Sequence, residues 1–392
     1  MPTMKEYFEI AERKYMFVSK KPPVVMEKGK GMYLWDVDGR RYLDFISGWA
    51  VTLLGHCHPS ITRALVKQGK KLINASPAFY NKPQVEFTEL LLGKSCMDRV
   101  FFVSSGAEAN EGAIKLARKY GSKFKNGAYE IITTRDSFHG RTLATMAATG
   151  KEHWQTLYAP TIPGFIHLPY NDLAAVEKTI TDKTIAVMIE PVQGESGAIA
   201  ATKEYIQGLR KLCDEKGILL IFDEIQTGYC RTGSFFAYEQ FGVEPDIMTL
   251  AKGIGGGYPL GALLAKEKFC VFEAGDQGGT YTGQPLAMAV GLAVLREIIK
   301  TDLPSHVKKM SEYLVGRLRE LEAQGLIANI RGMGLLIAFD AKRKSGADIV
   351  NEALEKGLLL NSPRPTSIRL MPALIAEKKH IDEMIKIIST IL

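Results

Sequence analysis

Ile218-Leu219-Leu220-Ile221-Phe222 is an unbroken apolar run that ends on Asp223-Glu224-Ile225-Gln226. A strand with one wetted face alternates polar and apolar residues, so a run without alternation suits a strand buried on both faces of a mostly parallel sheet. Working outward, Val100 to Val103, Ile131 to Thr133, Ile185 to Ile189 and Asp246 to Leu250 read in the same way. Between them, Glu108 to Tyr120 and Glu204 to Gly217 have helical character. The second carries Ile206, Leu209, Leu212 and Cys213 on one face and has Gly217 as its stop. Strands alternating with helices over residues 95–265 predict an α/β fold with a mostly parallel central sheet covered by helices.

The two ends of the chain have a different texture. Met32 to Val37 and Arg41 to Phe45 flank Asp38-Gly39 as a hairpin that needs a partner to be stable. After Leu295, the residues Val307, Met310, Leu314, Leu318 and Leu321 recur at helical spacing. Ile327 to Ile330 and Leu335 to Phe339 then flank Arg331-Gly332-Met333-Gly334, read as a turn. These features predict a smaller α+β domain built from both ends: a segment over 1–54 packs with a C-terminal domain over 296–392, around a large domain over 55–295.

Composition narrows the partners. With 46% hydrophobic and 24% charged residues in 392, the chain can bury a sizeable core. A net charge of +7 without Lys/Arg blocks does not point to nucleic acid, but leaves small acidic substrates open. Five widely spaced cysteines without a C-x-x-C pair indicate neither a disulfide framework nor a zinc ribbon and favour a reducing compartment. The N-terminus lacks an apolar signal core. The longest charge-free stretch, Gln277 to Leu295, is interrupted by Thr280, Thr282, Gln284 and Pro285, so no membrane association is expected and a cytoplasmic location is.

In a parallel sheet, ligands lie beyond the carboxyl ends of the strands. After Val103, Ser104-Ser105-Gly106-Ala107-Glu108-Ala109-Asn110 opens a helix whose free N–H groups and dipole favour an anion such as phosphate; alone, the turn reads equally as a helix cap. Asp223 ends its strand in nearly apolar surroundings and needs a cationic or N–H partner, which could be a protonated pyridine nitrogen, a metal or an ordinary ion pair. Lys252 follows the strand ending at Leu250 and precedes Gly253-Ile254-Gly255-Gly256-Gly257. A desolvated lysine near a cation has a lowered pKa and forms Schiff bases with aldehydes, whereas a lone lysine is usually an exposed loop charge. Ser137-Phe138-His139-Gly140-Arg141-Thr142 adds a ring able to stack on a flat cofactor and an arginine suited to carboxylate. Together these are the groups that pyridoxal 5′-phosphate requires.

The same residues carry a family resemblance. SSGAEANE at 104–111, SFHGRT at 137–142, EPVQGES at 190–196, DEIQTG at 223–228 and TLAKGIGGG at 249–257 resemble the class III aminotransferases of pyridoxal-phosphate fold type I, over about Gly31 to Pro372. Within the family the pattern is most similar to the members acting on N-acetylornithine, especially across Leu34 to Phe45, Ala50 to Pro59 and Arg331 to Leu335. The resemblance implies that Lys252 carries the internal aldimine and moves the proton, while Asp223 keeps the pyridine nitrogen protonated. Gln226 is implied to lie near the ring hydroxyl, Phe138 to cover a ring face with His139 among the cofactor contacts, and Ser105, Gly106 and Ala107 to cradle the phosphate. Thr280 would reach the phosphate from a second subunit, which implies a homodimer with shared active sites; read alone, Thr280 is a helix cap.

For substrates, the resemblance implies that Arg141 holds the donor's α-carboxylate or glutamate's distal one. Glu195 would pair with Arg369 and swing away when glutamate needs that arginine, because an unpaired buried arginine is costly. Read alone, Arg369 is as well explained as a surface charge on an edge strand. Trp49 stands where relatives usually have a smaller apolar residue at the substrate entrance, and Thr282, Gln284, Ser196 and Cys230 also depart from the usual pattern. The expected reaction is ping-pong ω-amino transfer from N-acetylornithine to 2-oxoglutarate, as in arginine biosynthesis. Ornithine, succinylornithine, 4-aminobutyrate or a carrier-linked lysine-pathway donor is an alternative, and a non-catalytic pyridoxal-phosphate-binding relative is another. A metal hydrolase built on His56-Cys57-His58 with Asp223-Glu224 lacks helical ligand spacing and a third ligand, so no metal is expected.

Overall fold

The computed structural model describes residues 3–392. In chain order its strands are β1 (Met26–Lys30), β2 (Tyr33–Asp36), β3 (Arg41–Asp44), β4 (Arg99–Val103), β5 (Glu130–Thr134), β6 (Phe165–Leu168), β7 (Thr184–Ile189), β8 (Val192–Gln193), β9 (Ile199–Ala200), β10 (Leu219–Asp223), β11 (Ile247–Leu250), β12 (Gly261–Ala265), β13 (Ile327–Met333), β14 (Leu336–Ala341), β15 (Leu358–Leu359) and β16 (Ser367–Leu370). Seven form the central sheet in the order β4-β12-β11-β10-β7-β5-β6, parallel except for β12, which runs antiparallel to both its neighbours.

The apolar runs lie where their composition requires. In β10, Leu219 and Ile221 face one side while Leu220 and Phe222 face the other, and β7 alternates likewise through Met188 and Ile189. One face is covered by the helix Gly106–Phe124, whose buried Ala109, Ala113, Ala117 and Gly121 recur every fourth residue. These small residues let the helix lie close: a Cβ on Gly121 would sit 1.9 Å from the Ala128 carbonyl oxygen. The other face is covered by Lys203–Lys216, which buries Ile206, Leu209, Leu212 and Cys213 and ends at left-handed Gly217. Two strands of the central sheet escape the sequence reading. β12, Gly261-Ala262-Leu263-Leu264-Ala265, is composed of residues that favour helix as much as strand, and β6 is a half-buried edge interrupted by His167.

The expected hairpin forms, with β2 and β3 antiparallel, and its partner comes from the far end of the chain: β15 pairs parallel with β3. A second sheet has the order β13-β14-β16. The turn read over Arg331-Gly332-Met333-Gly334 is displaced. β13 continues through Met333, and the chain reverses at Gly334-Leu335. Arg331 is held within the strand because its guanidinium donates to Gly197 O (2.8 Å), Ser367 Oγ (2.6 Å) and Asp340 Oδ1 (2.9 Å). Among the described residues, no helix is long and apolar enough to cross a membrane.

The displaced turn is pinned from below by a buried arginine. Arg231 Nη1 donates to Leu335 O (3.0 Å) and Pro372 O (2.6 Å), and Leu335 N–H donates to Arg231 O (2.9 Å). Gly334 adopts a φ of +58°, and a Cβ there would lie 2.4 Å from Arg231 O. Gly334→Ala is therefore expected to cost about 2 kcal/mol or more, combining a left-handed backbone with a clash against main chain that cannot retreat. Urea denaturation measures it, and an unchanged midpoint would show that this contact is soft.

Candidate active site

The carboxyl ends of β4, β5, β7, β10 and β11 open into one cavity of about 430 Å³. Most of the wall comes from the segments after these strands: Ser104 to Ala107 after β4, Phe138 to Arg141 in the loop after β5, Glu190 after β7 with Glu195 beyond the short β8, Asp223 with Ile225 and Gln226 at the end of β10, and Lys252 after β11. Sequence positions far apart thus meet because one sheet edge carries them all.

Asp223 lies at the bottom, almost wholly buried. Its surroundings are not apolar, as the sequence reading had them, since Oδ2 accepts from Asn110 Nδ2 (2.7 Å) and lies 2.8 Å from His139 Nδ1, while Oδ1 accepts from the Ile225 N–H (3.1 Å). Asn110 is itself fixed, donating to His139 O and accepting from Thr249 Oγ1, both at 2.7 Å. Burial works against charging His139, but the hydrogen bond and charge of Asp223 outweigh it, so its pKa lies above the usual histidine value.

Lys252 adopts a φ of +49° and projects into the cavity. Burial lowers its pKa from the ordinary lysine value and outweighs the opposing pull of Asp223, Glu195 and Glu190; Arg369 pushes the same way as burial. Glu190 is buried beside His139 and Asp223, accepts from the Phe138 N–H (2.8 Å) and is pushed by burial up to about 7. That bond fixes the backbone of Phe138, whose ring lies on the cavity wall.

Ser105 caps the helix Gly106–Phe124 by accepting from Glu108 N–H, and Glu108 Oε2 in turn accepts from Ser104 N–H (2.8 Å) and Ser105 Oγ (3.1 Å). Gly106 permits close approach here, since a Cβ would meet Ile225 Cδ1 at 2.8 Å. Opposite, Gln226 is buried with Oε1 unpartnered. A Cβ on Gly194 would lie 1.7 Å from that oxygen, so only glycine fits beneath the amide.

Arg369 lies on the edge strand β16 but is fully buried, which removes the surface-charge reading. Nε and Nη2 donate to Asn361 Oδ1 at 3.1 and 2.8 Å, Nη2 pairs with Glu195 Oε1 at 2.9 Å, and Nη1 has no partner. Burial alone would raise the Glu195 pKa, but the charge and hydrogen bond of Arg369 hold it below the usual carboxylate value. Arg141 lines the cavity and stacks on aromatic rings, 4.8 Å from the centroid of Trp154 and 5.9 Å from that of Phe138.

Two of the residues singled out from sequence lie apart from this group. Thr280 is exposed and outside the cavity wall. Trp49 is 55% exposed near the mouth, on the left-handed run Ser47-Gly48-Trp49-Ala50, whereas nearby Val51 lines the cavity. Conversely, Asn110, Glu190, Gly194 and Asn361 escaped notice. The first three sit inside the stretches read as motifs, but their value lies in contacts across the fold that spacing does not encode. Among the described residues, no cluster of His, Cys, Asp and Glu could hold a metal ion.

Comparison with known proteins agrees with this geometry. The family model for aminotransferase class III matches residues 15–392, beyond the span legible in the motifs. Acetylornithine aminotransferase 2 of Bordetella pertussis is 52% identical over 384 residues, covering 97% of both chains. The crystal structure of acetylornithine aminotransferase from Elizabethkingia anophelis matches with a TM-score of 0.89 at 32% identity, covering 100% of this chain and 99% of that one. Ornithine aminotransferase from Toxoplasma gondii matches with a TM-score of 0.94 at 31% identity, covering 100% and 96%, and a further structure of that enzyme describes PLP at its active site. With sequence and fold matched almost end to end, the chain belongs to the class III aminotransferases.

Proposed function

We propose that the protein transfers the ω-amino group of N-acetylornithine to 2-oxoglutarate, giving N-acetylglutamate 5-semialdehyde and glutamate. The observation that carries this reading is the buried pair of Arg369 with Glu195 beside an Arg141 that has no carboxylate partner among the described residues. A donor with a single carboxylate far from its reacting amine needs one free arginine and no more, so neutralising the second avoids an unpaired buried charge. The many relatives named acetylornithine aminotransferase support the same donor.

The cofactor is pyridoxal 5′-phosphate, and the cavity fits it. The capped helix start at Ser105, Gly106 and Ala107 suits a phosphate, Asp223 suits a protonated ring nitrogen, and the unpartnered Gln226 Oε1 suits a ring hydroxyl. When bound, the cofactor supplies an aldehyde that captures amines and a ring that accepts the electron pair left by a departing proton. Asn110 and His139 fix Asp223, which would hold the ring nitrogen, and Glu190 fixes the backbone of Phe138, which would cover a face of the ring. Lys252 Nζ would carry the proton between the carbon bearing the donor amine and the cofactor within each half-reaction, in one direction for the donor and in the opposite direction for the acceptor. Arg141 binds the donor's α-carboxylate. When glutamate or 2-oxoglutarate enters, Glu195 leaves Arg369, which then takes the α-carboxylate while Arg141 takes the distal one.

In this reading residues 1–54 and 296–392 form the smaller domain against a cofactor-binding domain over 55–295. The enzyme works as a homodimer in which Thr280 completes the partner's phosphate site. Tyr80, 95% exposed, and Phe17, 79% exposed, support a covered face. Five unpaired cysteines suit a cytoplasmic location. Trp49 flanks the entrance and shapes the space for the donor's acetamido end.

Two measurements test the reading. The near-visible absorbance of the holoenzyme is expected to bleach faster with N-acetylornithine than with ornithine or 4-aminobutyrate and to return with 2-oxoglutarate. Lys252→Ala is expected to lose turnover at least about a thousandfold. Faster bleaching by another amine would reassign the donor, and full turnover in the variant would overturn the mechanism. Secondly, Glu190 keeps its proton up to about pH 7 in the folded chain but only to about 4.5 when unfolded, so between those values the folded state binds more protons and loses stability as pH rises. Glu190→Gln keeps an acceptor for Phe138 N–H and is expected to flatten this decline in denaturation series from about pH 5 to about pH 7. An unchanged slope would show that Glu190 is ionised throughout.

A further inference from the structure

Behind the ring of Phe138 lies a cation that the proposed mechanism does not use. Lys151 Nζ stands 5.4 Å from the ring centroid of Phe138 and 5.1 Å from that of Trp154, the two rings on which Arg141 also stacks. The rings pack edge to face with centroids 5.7 Å apart. Two cations therefore share one aromatic pair, and neither has a carboxylate within ion-pair distance among the described residues.

Lys151 is held in this place. Gly150 N–H donates to Ser137 Oγ (3.0 Å), Asp136 N–H donates to Gly150 O (2.8 Å), and a Cβ on Gly150 would lie 2.1 Å from Thr134 O. The segment bearing Lys151 is thus stitched to the loop bearing Phe138, and Ser196 Oγ, next to Glu195, donates to Asp136 O (2.8 Å) in that same loop, so hydrogen bonds bring the segments of Lys151 and Glu195 together. Burial lowers the Lys151 pKa, and the largest opposing influence is the charge of Glu195; Lys151 in turn helps keep Glu195 ionised.

We infer that Lys151 is the cation that receives Glu195 when it leaves Arg369. The inference rests on the amino-transfer reading above and follows from counting charge. With the donor bound, Arg141 and Arg369 face two carboxylates, the donor's and Glu195. With glutamate bound, they face glutamate's two, and Glu195 would be left in a partly buried position without a partner. Lys151 supplies the third positive charge, so each state is matched without a carboxylate being stranded. It is a positioning residue: it touches neither substrate and acts on the acceptor half of the cycle through Glu195.

The test is equilibrium binding to the holoenzyme of two unreactive ligands: glutarate, which carries the acceptor's two carboxylates, and 2-acetamidopentanoate, which is the donor without its amine. In Lys151→Met, whose side chain still packs on both rings, the Kd for glutarate is expected to rise about tenfold while that for 2-acetamidopentanoate stays within about twofold. Lys151→Arg is expected to restore glutarate binding, and Lys151→Gln to behave as Lys151→Met. Equal weakening of both ligands would reduce Lys151 to a structural role, and no change in either would remove it from the cycle. Wild-type enzyme that binds neither ligand would instead overturn the amino-transfer reading, and this inference with it.

Discussion

A carboxylate cannot be buried at the bottom of a cavity without groups that compensate its charge, and the site is organised around meeting that demand for Asp223. Asn110 from the helix after β4, His139 from the loop after β5 and the Ile225 N–H all converge on its two oxygens. Asn110 is held by Thr249 on β11 and also grips the His139 carbonyl. One charge thus ties four segments into a single rigid floor. Asp223 lines the cavity, where a cation or another hydrogen-bond donor can use its remaining acceptor capacity.

The upper half of the site follows the opposite logic, with arginines in place of the buried carboxylate. Arg369 is completely enclosed and has Asn361 as a permanent neutral partner, leaving one face for an exchangeable anion. Glu195 occupies that face, yet it remains more accessible than the arginine it neutralises. The arginine is buried deepest and its carboxylate partner lies nearer the opening, which is the arrangement that the proposed exchange of counter-ions requires. Gly194, directly before Glu195, fits beneath both Gln226 and Arg369, since a Cβ there would lie 1.7 Å from Gln226 Oε1 and 3.2 Å from Arg369 Nη1.

Much of this was legible in the chain. Five parallel strands could be read because burial on both faces removes polar alternation, and the chemistry could be placed because parallel strands present their carboxyl ends together. β12 was not legible, since small residues carry little strand signal, and neither was β6, whose edge position relaxes the pattern. The turn at Gly334-Leu335 was misplaced because Gly332 resembles a turn residue, although it lies inside the ladder opposite Ile337. The partners of Asp223 and Arg369 were hidden as well. Asn110 and Asn361 are ordinary polar residues in sequence, and only the fold brings them to the charges they hold.

The pairing of β3 with β15 joins opposite ends of the chain in one sheet. During synthesis the hairpin leaves the ribosome well before β15 and must wait for that partner of β3. Closing so long a loop is slow, and the unpaired edge of β3 is exposed meanwhile to strands of other nascent copies. Arg369 arrives with the same late segment. Every strand of the large sheet is made before Arg369, so its lysine and aspartate can be in place before the arginine that grips a carboxylate is synthesised.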